Sequence, residues 1–271
     1  AAQEVSYGGV DIPLYDYQNA AVDAVAAEQY GILQSPAGSG KTQMGIALVK
    51  KFGKRALWLT HTIDLLRQSK ERAERYMDKK CIGTITEGKV NIGTGITFAT
   101  IQTMCKLDLP RYKNLWDTII VDECHRCSGT PTAVTQFSKV LNSLSARHKI
   151  GLSATVHRSD GMIEATYALL GHIVYTVPDE AVGDKIMKVG ILPIGTGVEI
   201  DRECLNTDGT LNYAKLITYL TENLVREEII VNQIKLNEGK SCLILSDRLN
   251  HLEHLMSRLP KPVSYTHLRA H

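Results

Sequence analysis

The residues best equipped for chemistry form one run that combines glycines, hydroxyl groups and a lysine. An apolar run, 30–34, precedes it, and a segment with helical spacing, 43–49, follows it. A strand, a glycine-rich turn and a helix start are the context of a phosphate-binding loop, where backbone N–H groups and the helix dipole favour an anion. Lys41 is therefore predicted to reach the β- and γ-phosphates of a nucleotide, and Thr42 to offer its hydroxyl to Mg²⁺. The run is Ser35-Pro36-Ala37-Gly38-Ser39-Gly40-Lys41-Thr42.

This loop departs in one place from the usual pattern G-x-x-x-x-G-K-[ST], because Ser35 replaces its first glycine. The alternative interpretation is an ordinary Gly/Ser turn in front of a helix. The placement of Gly-Lys-Thr between a predicted strand and a predicted helix favours nucleotide binding.

Two carboxylates, Asp122 and Glu123, end an apolar and β-branched run, 118–121. Acidic groups that end a buried strand are costly unless they meet a cation. Here the cation would be Mg²⁺ on the nucleotide. We expect Asp122 to order the metal's ligands and Glu123 to orient or deprotonate the attacking water. The alternative is a strand that simply ends at a polar loop.

Hydroxyl and amide groups follow three other predicted strands. In open α/β sheets, ligands bind at the carboxyl edge of the strands. The first two clusters could bind phosphates without reading base sequence, and the third could hydrogen-bond the acidic pair. The clusters are Thr60-His61-Thr62, Thr100-Ile101-Gln102-Thr103 and Ser153-Ala154-Thr155.

Strands alternate with helices from residue 31 to about 177. This alternation predicts a parallel sheet with helices on both faces. An amphipathic helix over 14–27 precedes the first strand. It carries Gln18 near its start, and an amide can pair with the edge of an adenine. The alternative is a surface glutamine.

The bulk composition is that of a globular chain able to bury a core, with 271 residues, 44% hydrophobic and 22% charged. The net charge of +2 neither demands nor excludes a nucleic-acid partner. No apolar run reaches the roughly 18 residues of a membrane span, so no membrane partner is predicted. Six scattered cysteines favour a reducing, cytoplasmic setting. The N-terminus lacks a signal-peptide pattern and a starting Met, and we expect the sequence to begin inside a longer chain.

Together, these motifs resemble the DEAD/DEAH-box-like helicases of superfamily two, in particular their type III restriction helicase-like branch. The resemblance covers about 14–259. Its most specific pieces are Pro36 to Thr42, Asp122-Glu123-Cys124-His125 and Ser153-Ala154-Thr155. Three positions depart from the family: Tyr15 stands where Arg is common, Cys124 where Ala is commoner, and Val156 where Pro is usual.

The resemblance implies an ATP-dependent helicase or translocase that acts on nucleic acid, on DNA more readily than RNA, through backbone contacts. It implies ATP and Mg²⁺ as cofactors, with the adenine read by Gln18. A small-molecule P-loop enzyme would explain Lys41 and Asp122 but not the three polar clusters. The roles implied are catalysis by Lys41, Asp122, Glu123 and His125, metal binding by Thr42 and Asp122, nucleic-acid contact by Thr60, His61, Thr62, Thr100, Gln102 and Thr103, and coupling by Ser153, Thr155 and Arg158.

The resemblance also implies a domain order. Residues 1–178 are expected to form a RecA-like ATP-binding domain and 179–200 a connector with an extended piece over 191–200. Residues 201–262 would be the truncated start of a second RecA-like domain, with a helical segment over 212–236, a strand over 242–248 and a helix over 249–259. The segment 263–271 resembles the translation of a sequencing adapter and is expected to be a non-native tail.

The truncation leaves a second hypothesis open. In the family, later motifs supply the arginine finger and half of the nucleic-acid groove. A chain without them is expected to bind nucleotide and nucleic acid without efficient turnover. The sequence assigns no nuclease or methyltransferase partner.

Overall fold

The computed structural model describes residues 3–128, 130–154, 163–183 and 190–259. The chain divides into two compact units, 1–188 and 189–271, and the connector predicted over 179–200 straddles that division. Each unit is described by itself.

The first unit is built on an eight-stranded sheet with the order β4-β3-β5-β2-β6-β7-β1-β8. Every pair of neighbours is parallel except the hairpin of β3 and β4. The strands are β1 (Tyr30–Gln34), β2 (Ala56–Thr60), β3 (Ile82–Thr86), β4 (Lys89–Asn91), β5 (Ile96–Thr100), β6 (Thr118–Asp122), β7 (His148–Ser153) and β8 (Ile173–Thr176).

The central strands form where the sequence has unbroken apolar or β-branched runs. All residues of β2, β5 and β6 are buried, as expected for parallel strands covered on both faces. In the register, Thr60 pairs with Thr100 and Asp122 pairs with Leu152. The carboxyl ends of four strands, β2, β5, β6 and β7, therefore lie side by side at one edge of the sheet.

Helices cover both faces of this sheet, which confirms the predicted layer arrangement. Trp58 packs in the core under α1, α2 and α3, while its neighbours Leu57 and Leu59 pack in the opposite core under α4, α5 and α6. The helices are α1 (Asp16–Ala26), α2 (Lys41–Phe52), α3 (Ile63–Ala73), α4 (Ile101–Met104), α5 (Pro131–Ser143), α6 (Ile163–Leu170) and α7 (Asp179–Val182).

The second unit contains three helices within its described part: α8 (Tyr213–Glu222), α9 (Leu224–Leu236) and α10 (Leu249–Ser257). The segment predicted to be helical, 212–236, forms the first two of these helices, with a break at Asn223. Asn223 interrupts it, because its side chain accepts a hydrogen bond from Arg226 N at 3.0 Å and caps α9.

The strand predicted over 242–248 is wrong, because within residues 190–259 this segment forms no strand. The piece over 191–200, predicted only to be extended, does not join a strand there either. A strand needs ladder hydrogen bonds from a neighbouring strand, and this described part of the chain supplies no such neighbour to either segment. The expected tail over 263–271 lies outside the described residues.

In the described part of the chain, no helix combines the length and the apolar composition that a membrane crossing requires.

Candidate nucleotide site and nucleic-acid edge

The glycine-rich loop lies between β1 and α2, as predicted. Gly40 has φ +85° and is the N-cap of α2, and Gly38 has φ +80°. L-residues rarely adopt this left-handed conformation. A Cβ at Gly40 would also lie 2.5 Å from Gln18 Nε2. The backbone angle therefore favours glycine at position 40, and a larger residue there would have to displace the Gln18 amide.

Two side chains of helix α1 hold the glycine-rich loop at Ser39. The carbonyl of Ser39 accepts hydrogen bonds from Gln18 Nε2 at 2.8 Å and from the Tyr17 hydroxyl at 2.9 Å. The Ser39 hydroxyl donates to the carbonyl of Pro36 at 2.6 Å, which closes the turn on itself. At the start of the loop, Ser35 N donates to Ser153 O at 2.9 Å. The backbone of the loop is thus fixed from both sides.

Both ends of the Gln18 amide contact the chain itself. Its Oε1 accepts a hydrogen bond from Tyr15 N at 2.9 Å, its Nε2 donates to Ser39 O, and the residue is 3% exposed. Gln18 therefore lies against the glycine-rich loop and supports it. Its predicted contact with adenine stays a prediction.

Lys41 and Glu123 meet at the carboxyl edge of the sheet. Lys41 Nζ lies 4.0 Å from Glu123 Oε1 and donates to Ser35 O over 3.4 Å. The first turn of α2, which contains Lys41 and Thr42, therefore faces the loop after β6. Pro36 and Ala37 lie in the loop between β1 and α2, with Ala37 exposed.

Asp122 is buried at the end of β6, with 5% of its surface exposed. One carboxylate oxygen accepts from Ser69 Oγ at 3.1 Å and the other from Glu123 N at 3.0 Å. Burial raises the pKa of Asp122, and the neighbouring charge of Glu123 raises it further, while these two hydrogen bonds and Lys41 oppose the rise. A buried carboxylate whose ionised form is disfavoured in this way is well suited to binding a cation.

Glu123 has the opposite electrostatic behaviour. A hydrogen bond from His125 holds the pKa of Glu123 below its usual range, and Lys41 contributes in the same direction, although partial burial opposes them. His125 Nδ1 lies 3.3 Å from Glu123 Oε2 and 3.0 Å from Ser153 Oγ. His125 thus joins the acidic pair to the end of β7.

The predicted nucleic-acid residues lie at the same edge but differ in exposure. Thr60 and Thr100 are buried and pair across β2 and β5. The Thr60 hydroxyl donates to Thr62 O at 3.0 Å, and the Thr100 hydroxyl donates to Thr103 Oγ1 at 2.9 Å. Their side chains therefore shape the two loops from inside.

The partly exposed members of this set are His61, Thr62, Gln102 and Thr103. Gln102 Nε2 donates to His61 O at 2.9 Å, which ties the loop after β5 to the loop after β2. Thr62 is the N-cap of α3, with its hydroxyl accepting from Leu65 N at 3.3 Å. The two loops present one continuous polar edge.

Ser69 and Tyr17 are contacts of the site that the sequence did not predict. Ser69 carries a weak signal, since it is a polar residue on the buried face of α3 together with Leu66 and Ala73. Tyr17 carries none, because a tyrosine beside a helix start is common. Two predicted coupling residues, Thr155 and Arg158, lie outside the described residues.

The fold and the site define a class of protein. A mostly parallel sheet with a glycine-rich loop after its first strand, and an acidic pair facing that loop, is a RecA-like fold. Residues 11–158, more than half of the 271-residue chain, match the family described as type III restriction enzyme, res subunit. The chain belongs to this family, and through it to the superfamily two helicases.

Relatives and solved structures agree with this assignment. The chain is 27% identical over 230 residues to probable helicase D10 of Escherichia phage T5, covering 84% of this chain and 48% of that protein. It is 32% identical over 176 residues to DNA 3'-5' translocase XPB2 of Sulfurisphaera tokodaii, covering 64% and 38%. The crystal structure of the UvsW helicase from bacteriophage T4 shares the fold, with a TM-score of 0.52, 20% identity and 64% of each chain covered. The chain spans about half the length, or less, of these curated relatives.

Proposed function

We propose that this chain carries the ATP-hydrolysing centre of a DNA helicase or translocase. The observation that carries the proposal is the meeting of Lys41 with Glu123, 4.0 Å apart, beside the buried Asp122. A cation from the start of α2 and an acid from the loop after β6 converge where a nucleotide's terminal phosphate would lie. Catalysis in this class is mostly positioning and charge stabilisation.

The residues present fit Mg²⁺ and ATP. Magnesium takes oxygen ligands, and the Thr42 hydroxyl and the Asp122 carboxylate would hold it. The backbone N–H groups of the loop and Lys41 would hold the phosphates, over a turn in which a Cβ at Gly40 would press against the Gln18 amide. Bound Mg²⁺·ATP supplies the transferable phosphoryl group and a metal that neutralises its charge.

The low pKa of Glu123 favours one of its two predicted roles. A carboxylate that stays ionised is a good hydrogen-bond acceptor but a weak base. We therefore assign Glu123 the orientation of the attacking water, with His125 fixing its carboxylate. Ser153 would couple the end of β7 to the position of Glu123 through its hydroxyl contact with His125. The same coupling role is proposed for Thr155 and Arg158.

The nucleic-acid edge is assigned to the partly exposed residues His61, Thr62, Gln102 and Thr103, with Thr60 and Thr100 supporting them. Hydroxyl, amide and backbone groups of this kind bind phosphates without reading base sequence. The name of the S. tokodaii relative specifies DNA, and we propose DNA as the substrate. Oligo(dT) is expected to bind more tightly than oligo(U), with an affinity that falls as salt rises.

The proposal is tested by ATP hydrolysis with and without oligo(dT). We expect oligo(dT) to stimulate turnover, and Lys41→Ala and Glu123→Gln to abolish the stimulation. Lys51→Ala is the matched control, because Lys51 lies on the same helix and forms an exposed ion pair with Asp23. Turnover that is unchanged in Glu123→Gln would show that the water-orienting role is wrong.

A second candidate is a chain that binds nucleotide and nucleic acid with little turnover. It is favoured by the comparison with the phage T5 relative, of which this chain covers 48%. An arginine finger contributes roughly 10³–10⁵ in rate in this class. Extending the chain with a whole second domain is then expected to raise turnover by orders of magnitude. Equal rates in the short and extended chains would exclude this candidate.

We also propose a reducing, cytoplasmic setting for this protein. All six cysteines are free thiols, and four of them are buried. Structural disulfides are typical of oxidising compartments.

A further inference from the structure

Ser69 and Asp122 are joined by a buried hydrogen bond between two elements far apart in the chain. Ser69 Oγ donates to Asp122 Oδ2 at 3.1 Å across a sequence separation of 53 residues, and Ser69 is 2% exposed. Leu66 and Ala73, its neighbours on the buried face of α3, are apolar. The one hydroxyl on this face of the helix therefore contacts the carboxylate that would hold the metal.

The other end of α3 is fastened to the predicted nucleic-acid edge. Thr62 caps its first turn, and Thr60 donates from its hydroxyl to Thr62 O at 3.0 Å. Gln102 donates to His61 O at 2.9 Å from the neighbouring loop. A phosphate that contacts 60–62 therefore acts on the N-terminus of α3.

The helix connects these two ends as one rigid element. Ser69 follows Thr62 by seven residues, which corresponds to about 10 Å along the helix axis. At 3.1 Å the Ser69–Asp122 hydrogen bond lies at the long end of the O–H···O range, and a displacement of about 0.5 Å would break it. A small shift at 60–62 is therefore enough to make or break the contact.

We propose that Ser69 is a positioning residue that couples nucleic-acid contact at 60–62 to the orientation of the Asp122 carboxylate. The inference rests on the proposed function, since it assigns a route between the two sites proposed there. The competing explanation is purely structural: Ser69 would satisfy a buried carboxylate and contribute only stability. The two explanations differ in whether removing the hydroxyl changes the coupling between the two ligands.

The test is a binding cycle with the whole chain, with mant-ADP plus Mg²⁺ as one ligand and oligo(dT) as the other. Each affinity is measured with and without the other ligand, and the ratio is the coupling factor, which is reciprocal. Wild type is expected to show a coupling factor of about fivefold or more. Ser69→Ala and Ser69→Cys are expected to reduce it to about twofold or less. Cysteine fills the space of the serine but donates weakly, so it covers the case in which alanine fails to fold.

Ala73→Gly is the matched control, because it loosens the same buried face one turn away without touching Asp122. It is expected to lower stability and keep the wild-type coupling factor. Coupling that survives in both Ser69 variants, is lost equally in Ala73→Gly, or is absent in wild type would overturn the inference. If Lys41→Ala binds mant-ADP as tightly as wild type, the proposed function itself fails, and the inference with it.

Discussion

His125 lies 3.0 Å from Ser153, measured from Nδ1 to Oγ, and the same ring nitrogen lies 3.3 Å from Oε2 of Glu123. One imidazole thereby connects the acidic pair after β6 with the last residue of β7. Ser153 O also accepts from Ser35 N at 2.9 Å. Three loops at the carboxyl edge of the sheet are linked through Ser153.

Removing the Ser153 hydroxyl is expected to affect turnover more than stability. Ser153→Ala leaves the backbone contact with Ser35 but frees His125 to rotate away from Glu123. The lost hydrogen bond corresponds to about 1 kcal/mol of unfolding free energy. We expect oligo(dT)-stimulated ATP hydrolysis to fall about fivefold or more, with the affinity for mant-ADP unchanged. Steady-state ATPase assays and urea unfolding measure the two effects.

Ser128→Ala is the control for this prediction. Ser128 is equally buried, accepts a hydrogen bond from Thr166 at 3.0 Å, and ends the short 3-10 helix that follows the acidic pair, Cys124–Ser128. It is expected to lose similar stability and to keep wild-type turnover. If both variants reduce turnover to the same extent, the His125 contact is not the cause.

The two acids are expected to have opposite effects on stability. Burial raises the folded-state pKa of Asp122, so its ionisation weakens the fold, fully so above that pKa. Without Mg²⁺ at neutral pH, Asp122→Asn should therefore raise the free energy of unfolding, by roughly 1.4 kcal/mol per unit of pKa rise. The His125 hydrogen bond lowers the pKa of Glu123, which stabilises the fold above the unfolded-state pKa, and Glu123→Gln should lower stability.

Urea unfolding at neutral and acidic pH, in metal-free buffer, measures both effects. The gain in Asp122→Asn is expected to shrink as the pH falls and Asp122 takes up its proton. The loss in Glu123→Gln is expected to shrink as the pH falls through the folded-state pKa of Glu123. A destabilised Asp122→Asn at neutral pH would mean that its hydrogen bonds outweigh the cost of burying its charge.

The sequence was sufficient for the sheet of the first unit, because its central strands are continuous apolar runs that no helix pattern fits. β2 and β5 end at Thr60 and Thr100, where the first two polar clusters were predicted to follow strands. The sequence was not sufficient where the structure of a segment depends on pairing with a neighbouring strand. The segment 242–248 has strand composition, yet the described part of the second unit offers it no strand to pair with.

The candidate site also contains some features that local sequence patterns predict and others that they do not. Glycine-lysine-threonine and paired acids are local patterns, so Lys41 and Glu123 could be identified before their 4.0 Å approach was known. Contacts such as that of Ser69 with Asp122 join helix to strand across the fold, and nothing in the local sequence of either residue specifies the other. A sequence motif also does not show which of its side chains are exposed to solvent. The burial of Thr60 and Thr100 was therefore not predicted.

Glu123 has a left-handed backbone, with φ +49°. That conformation costs an L-residue roughly 1–2 kcal/mol and costs glycine little. Glu123→Gly and Glu123→Ala both remove the carboxylate, so both are expected to abolish ATP hydrolysis. Urea unfolding should show that the glycine variant is the more stable of the two, by about 1 kcal/mol.

Glu87 offers the matched comparison, since it has φ +51° in the turn between β3 and β4. Glu87→Gly should also be more stable than Glu87→Ala, and both should hydrolyse ATP like wild type. A glycine preference at position 87 alone would indicate that the left-handed backbone at Glu123 relaxes when its side chain is removed.

A comparison of the glycines that cap the two ends of α2 distinguishes the general cost of a positive φ from what the phosphate-binding loop requires. Gly53 caps the C-terminus of α2 with φ +59°, and an added Cβ would come no closer than 3.9 Å to Lys50 O. Gly40 caps its N-terminus with φ +85°, and an added Cβ would lie 2.5 Å from Gln18 Nε2.

Gly53→Ala is therefore expected to lose about 1–2 kcal/mol of stability without changing the affinity for mant-ADP. Gly40→Ala has the same backbone cost and must also displace the Gln18 amide from Ser39 O, so its affinity for mant-ADP should fall at least about tenfold, or roughly 1.4 kcal/mol. Wild-type affinity in Gly40→Ala, measured by fluorescence titration, would mean that the shape of this loop does not determine phosphate binding.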